Sequence, residues 1–252
     1  MGGREGEPAK LEHSTVIDAA TFATSYNAFW QANTPTCEHF VRRLNMDGLE
    51  RFEPPLAKSS TSNRAVIAEF AFSLFVERKR DDLAGGERRP DDAVEEAAWL
   101  TAKMRLAPYV NQGLTLSRKF DEDQRREVVE ISRSLVRFFT DLNRRLVLRP
   151  TFSGCGFVDA SEGDVIFGET IYEIKTVDRP FRGSDIRQTI TYAALNFAAA
   201  QFDIENIGLI NPRRGQFCDI DLEYVCSEIS GRPAQDLLAT IIQAISSGEI
   251  SR

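Results

Sequence analysis

The stretch Gly163-Asp164-Val165-Ile166-Phe167-Gly168-Glu169-Thr170-Ile171-Tyr172-Glu173-Ile174-Lys175 decides how this chain is read. Two apolar runs flank Gly168-Glu169, and a glycine placed first in a two-residue connection suits a type II′ hairpin turn. Counting outward from the turn pairs Phe167 with Thr170, Ile166 with Ile171, Val165 with Tyr172 and Asp164 with Glu173. Opposed residues share a face at ~5 Å between Cβ atoms. Lys175, two positions past Glu173, points the same way. The reverse face carries Val165, Phe167, Tyr172 and Ile174, a set expected to be buried. The hairpin therefore predicts two carboxylates side by side with a lysine next in the row. Opposed anions repel unless positive charge lies between them. A hard divalent cation that prefers carboxylate oxygens and water meets that need. The lysine would then position or activate a metal-bound water and stabilise charge on a phosphate.

Before the hairpin the pattern is helical. Residues 1–14 read as a flexible polar tail. Phe22, Tyr26, Phe29 and Trp30 recur at helical spacing. Pro35 interrupts them, and Phe40 to Leu44 reads as a second short helix. Pro54-Pro55 and the Ser59-to-Asn63 run form a loop. Helical period returns from Ala65 to Glu77 and again from Asp91, with Gly85-Gly86 and Pro90 between. Asp121 to Arg145 is the longest helical pattern. After Pro150 short apolar runs at 156–158, 165–167, 171–175, 207–210 and 217–220 read as strands. A helix from Ser184 as N-cap to about Gln201 interrupts them, and a last helix covers about Pro233 to Ile245. The expected class is α/β, a mixed central sheet flanked by helices with a helical N-terminal portion. Residues 15–120 form the helical region and 121–252 the core.

Composition limits the chemistry. Lysine and arginine total 31 against 38 acidic residues, a net charge of −7, which argues against a general nucleic-acid coat protein. Only His13 and His39 exist, so histidine-rich metal sites are nearly excluded. Cys37, Cys155, Cys218 and Cys226 are scattered without CxxC spacing, which suits reduced thiols in a cytosol. No run of ~18 apolar residues reads as a membrane helix, and the polar start does not read as a signal peptide. Phosphate chemistry here would rest on carboxylates, lysine and a divalent cation.

Asp164, eight intervening residues and Glu173-Ile174-Lys175 resemble the PD-(D/E)XK nuclease superfamily, without the proline before the aspartate. In that family the aspartate and the acidic residue bind metal, and the lysine assists the attacking water. By matching position these are Asp164, Glu173 and Lys175, with the main-chain carbonyl of Ile174 as the extra metal ligand. Gln188 and Tyr192 are i, i+4 on the following helix. That helix looks like the RecB-type branch, where it lies beside the metal site. Ile207 to Gly215 resembles the closing strand and loop of such nucleases from prokaryotic defence and repair systems. The resemblance covers roughly Leu146 to Val225. It implies a restriction-endonuclease-like core, Mg²⁺ or Mn²⁺ as cofactor, DNA as substrate with RNA left open, and a cytoplasmic role in antiviral defence or DNA repair. A helicase, an ATPase or another defence-system subunit would be the partner, and a homo-oligomer stays open.

Several residues compete for roles. Asp159 is the rival to Asp164, and Glu162 would reach Lys175 only if the ladder extended that far. Glu69, Glu127 and Glu130 are candidates for an additional helix glutamate, each more often a solvated helix residue. Arg179, Arg182, Arg187, Arg213 and Arg214 cluster in sequence around the site and suit phosphate contacts. Cys155, between two glycines, reads as a small buried thiol rather than a nucleophile. The competing function is a catalytically inactive nuclease-fold module that binds DNA or a partner protein within a defence complex, since one fold serves many functions.

Overall fold

The structure, a computed structural model, describes residues 16–57, 62–86, 88–141 and 143–248. The tail expected over 1–14 and part of the serine-rich loop lie outside the described residues. The chain is α/β. Three helices, α1 (Ala19–Ser25), α2 (Asn27–Asn33) and α3 (Cys37–Asp47), precede a two-residue strand β1 (Glu50–Arg51). Then come α4 (Arg64–Ala84), α5 (Asp91–Val110) and α6 (Glu122–Phe138). The sheet-forming part carries β2 (Leu146–Leu148), β3 (Thr151–Phe152), β4 (Ser161–Glu162), β5 (Val165–Phe167) and β6 (Thr170–Ile174). It continues with α7 (Gly183–Ala199), β7 (Asn206–Asn211), β8 (Gln216–Asp221), α8 (Leu222–Ser230) and α9 (Ala234–Ser247).

Six strands form one mixed sheet in the order β1-β8-β7-β6-β5-β2, and β3 pairs β4 in a separate ribbon. Among the described strands only β6 and β7 run parallel, joined through α7, as a parallel pair requires a crossover. The hairpin has the counted register: Phe167 faces Thr170, Ile166 faces Ile171 and Val165 faces Tyr172. Gly168 has φ +65° and is the only turn residue of the two with positive φ, the signature of a type II′ connection.

Alternation along these strands feeds two cores. Ile166, Ile171, Ile207 and Leu209 pack with the aromatic residues of α1–α3 and the apolar faces of α7–α9. Val165, Phe167, Tyr172 and Ile210 pack with α4, α5 and α6 on the opposite face. Phe22, Tyr26, Phe29 and Trp30 are core residues, as their spacing predicts, and Phe157 completes their ring cluster. The second core joins α4 and α5 to α6, so packing runs across the chain boundary expected at 120.

Local chemistry moved several element ends. The helix expected to reach Arg145 stops at Phe138. Asp141 there accepts the Asn143 N–H in a turn, and Arg144 instead lays its guanidinium over the Phe167 ring at 4.4 Å and donates to the Phe167 carbonyl. Ser184 is not an N-cap; the cap is Arg182, two residues earlier, and α7 starts at Gly183. The Asp185 carboxylate accepts the Arg182 main-chain N–H and so fixes that start. Gly156–Val158 forms only isolated bridges, because Cys155 and Val158 bond each other across a tight turn.

Candidate active site

Asp164 sits one residue before β5, where the ladder stops. The expected Asp164–Glu173 pair is replaced by a side-chain bond: Oδ2 of Asp164 accepts the Ile174 N–H at 2.7 Å. Its main-chain carbonyl accepts the Arg149 N–H at 2.9 Å. In an extended strand the N–H and C=O of one residue face the same edge. The Ile174 carbonyl therefore faces the edge occupied by Asp164.

Glu173 is 6% exposed. Its Oε1 accepts from the Lys175 ammonium at 2.9 Å and from Nε2 of Gln188 at 3.0 Å. Its Oε2 is buried with no hydrogen-bond partner among the described residues. Lys175 also donates to Oε1 of Gln188 at 2.8 Å. The Gln188 amide thus grips both charged groups, and its Nε2 donates to the Tyr192 hydroxyl at 2.8 Å. That hydroxyl donates to the Glu162 carbonyl at 3.0 Å, while the ring stacks on Phe152. Helical i, i+4 spacing on α7 delivers Gln188 to the charged row and Tyr192 one step behind it.

Burial and the neighbouring Glu173 push the Asp164 carboxyl well above the usual carboxylate range, against the Ile174 N–H, Lys175 and Arg149, which pull it down. Burial works against the Lys175 ammonium, but Glu173, Asp185 and Asp164 outweigh it and raise its pKa. Burial, then Glu173 and Asp164, raise the Tyr192 phenol, which is therefore a neutral donor. Asp185 was not anticipated. It lies 3.8 Å from the Lys175 ammonium and pairs with Arg179 at 2.7 Å.

Among the described residues no group of three or more His, Cys, Asp or Glu side chains is disposed to hold a metal. The available set is smaller: Asp164, Glu173 and the Ile174 carbonyl. It still fits a hard divalent ion. Glu173 keeps a buried carboxylate oxygen without a partner among the described residues, its charge opposes ionisation of Asp164, and Mg²⁺ commonly keeps several waters beside one or two carboxylates.

A cleft of about 650 Å³ opens over Asp164, Ile174 and Thr176, walled by α4, α5 and the segment after α5. Glu69 lines it and is held by Arg149 at 2.8 Å and Arg105 at 3.2 Å. Arg149 has φ +52°, a strained value for a residue with a side chain. Its guanidinium lies 4.6 Å from the centre of the Phe72 ring and bonds Ser73. Sequence reading missed Arg149, whose role exists only where β2, α4 and Asp164 meet.

The rival residues lie elsewhere. Asp159 is exposed and accepts the N–H of its own neighbour Ala160. Glu162 stands opposite Thr151 in the β3–β4 ribbon and pairs with Arg105 and Arg149, so it does not face Lys175. Glu127 is buried between Arg64 and Arg213, and Glu130 is half-buried on α6. The five arginines divide among different partners. Arg179 pairs with Asp185, and Arg187 is buried against α3 with Glu38. Arg182 is exposed, whereas Arg213 and Arg214 meet near Asp178. Cys155 is half-exposed beside Ser246, and the other three thiols are buried. No helix among the described residues is long and apolar enough to cross a membrane. No protein-family model matches the chain, and no curated protein matches it.

Proposed function

We propose that this chain is a metal-dependent nuclease of the PD-(D/E)XK kind that hydrolyses phosphodiester bonds in DNA. The supporting observation is Glu173, with one oxygen gripped by Lys175 and Gln188, the other buried and unpartnered among the described residues, and a charge that the Asp164 carboxyl feels. Asp164, Glu173 and the Ile174 carbonyl would hold Mg²⁺ or Mn²⁺. When bound, the ion supplies Lewis acidity and a water acidified toward neutral pH. Lys175 keeps its proton through its three carboxylate neighbours, so it offsets negative charge building on the phosphate and orients the attacking water. Gln188 fixes the ammonium relative to Glu173, and Tyr192 anchors Gln188 to the main chain. The α4–α5 wall shields the cleft on one side. We place this activity in antiviral defence or DNA repair in the cytoplasm, with a helicase, ATPase or other defence-system subunit as partner.

The test is incubation of linear, circular, single- and double-stranded DNA, and of RNA, with Mg²⁺ or Mn²⁺. Wild type should cleave, and Lys175→Ala should be slower by ~10²–10⁴-fold with an unchanged circular-dichroism spectrum. Full activity in Lys175→Ala, or in wild type with excess chelator, would sink the mechanism. A second reading, an inactive module that binds DNA or a partner protein, draws on one observation: Lys175 is already neutralised by Glu173 and Asp185. It requires that carboxylate-dependent Mn²⁺ binding be absent.

A further inference from the structure

The loops that leave the carboxyl ends of the parallel strands β6 and β7 meet around a second cavity, separate from the cleft over Asp164. Ligands of open α/β sheets collect outside such strand ends. This cavity measures about 270 Å³. Arg51, Arg213 and Arg214 line it, and Asp178 is the one carboxylate among the described residues that line it.

Arg213 is the informative side chain. It is 4% exposed. It pairs with Glu127, yet its Nε and Nη2 are buried with no hydrogen-bond partner among the described residues. The Asp178 carboxylate stands 3.7 Å from Nε, beyond hydrogen-bond reach. Buried guanidinium donors left unmet are costly, and native proteins rarely keep them without a reason. A tetrahedral oxyanion presents several acceptors to such a planar fork.

The walls are built rather than incidental. Asn211 is 1% exposed and closes β7. Its Nδ2 donates to the Val177 carbonyl at 2.8 Å, and its Oδ1 accepts the Arg213 and Arg214 N–H groups at 3.1 and 3.2 Å. One amide thus staples the loop after Lys175 to the loop carrying both arginines. Arg214 donates to the Asp178 carbonyl and to Gln216, each at 3.0 Å. The third wall is the segment after β1, held by Leu56 N–H on the Arg213 carbonyl at 2.9 Å and Phe52 N–H on Gly215 at 3.0 Å. Gly215 permits this approach: its φ is +62°, and a Cβ there would lie 1.9 Å from the Glu53 carbonyl oxygen.

We propose that this cavity is a phosphate-binding site, in which Arg213, Arg214 and Arg51 take one phosphate group, free or carried by a nucleic-acid strand. Its volume falls below the ~300–1,000 Å³ of sites for drug-sized ligands, which suits a single phosphate group. It uses none of Asp164, Glu173 or Lys175, and it stands or falls apart from the nuclease reading.

The experiment is calorimetric titration of the full chain with inorganic phosphate at low ionic strength in chelator, against chloride at matched ionic strength. Wild type should show saturable binding near one equivalent. Arg51→Ala and Arg214→Ala should each weaken it tenfold or more while the circular-dichroism spectrum stays unchanged. Asp178→Asn should tighten it, a gain that damage to the fold would not produce. Arg213→Met is the sharper deletion but risks stranding Glu127, so the other variants carry the test. Lys175→Ala should bind phosphate as wild type does. Single-stranded oligonucleotides with a 5′-phosphate or a 5′-hydroxyl separate the sources. Preference for the phosphorylated end assigns a terminal phosphate, equal arginine-dependent binding assigns an internal one, and binding of inorganic phosphate alone assigns the free ion. Absence of saturable phosphate binding in wild type, or wild-type affinity in both Arg51→Ala and Arg214→Ala, overturns the proposal.

Discussion

Asp164 carries a free-energy cost that a bound cation would relieve. Burial and Glu173 raise its pKa, so the folded chain holds this proton more tightly than the unfolded one. That contribution is full below the ordinary carboxylate range and is lost as pH rises through the raised value. Asp164→Asn should therefore unfold at a higher temperature than wild type in chelator, with the gap widening as pH rises. At this chain size each kcal/mol moves the midpoint by ~2–4 °C. Added Mg²⁺ or Mn²⁺ should raise the midpoint of wild type and leave that of the variant unmoved. A metal response in Asp164→Asn equal to wild type would remove Asp164 from the ligand set. The thiols offer an independent check of burial. Burial pushes Cys37 up to about 11 and Cys218 and Cys226 up to about 12. Thiolate is the reactive form, so a thiol reagent at pH 8 should label half-exposed Cys155 first and the other three only on unfolding. Mass spectrometry of the native and denatured chain decides this. Side chains whose position follows from counting, Glu173, Lys175, Gln188 and Tyr192, were legible in the sequence, whereas Asp164 bonds the Ile174 N–H in place of the counted pair with Glu173. Asp185, Arg149 and Asn211 were not, since each acts where separate loops or elements meet.

Between residues and whole chain, α7 organises the site. Its buried face delivers Gln188 and Tyr192 to the row of charges while Ile186 and Ile190 fix it on the sheet. Gln188→Ala should lower kcat about 10–100-fold, the scale of losing an outer partner of a ligating group, with KM for DNA little changed. Steady-state kinetics would show it, and a pure KM effect would point to substrate contact instead. Tyr192→Phe keeps the stack on Phe152 but loses the hydroxyl between Gln188 and the Glu162 carbonyl. Chemical unfolding should report ~1–3 kcal/mol lost for the buried partners left unmet. The hairpin was legible because a period of two and a glycine turn are both local. Strands β1 and β2 escaped notice because two or three residues carry no period, and their pairing is decided by distant partners β8 and β5. Helix α8 hid behind β8, which runs into it without a break. Asp221 caps it by accepting the Tyr224 N–H at 2.6 Å.

At the scale of the molecule, two cores share one sheet. Trp30 belongs to the core on the α7 side, and Trp99 packs on the core formed with α4–α6. In each variant keeping one tryptophan, Trp99→Phe or Trp30→Phe, the fluorescence midpoint in denaturant should coincide with that variant's own circular-dichroism midpoint, since neighbouring hairpin residues serve opposite cores. A fluorescence midpoint below the circular-dichroism midpoint in Trp30→Phe, which reports through Trp99, would mean that the α4–α6 side opens alone. The α/β class and the helical first portion were readable from the change of pattern after Pro150. The division of helices between two faces was not, because it depends on sheet order. That order also has a bearing on synthesis. β1 leaves the ribosome well before β8, its partner among the described strands, and the bridge of Ile17 to Val158 likewise waits for later chain. At ~5–20 residues per second, β1 waits roughly 10–30 s for its partner. The parallel neighbour β7, which flanks Glu173 and contributes Asn211, is also made after the hairpin. A nascent chain would thus carry its charged hairpin before its loops are stapled, and the arrangement around Lys175 would be completed only after β7 and Asn211 are made.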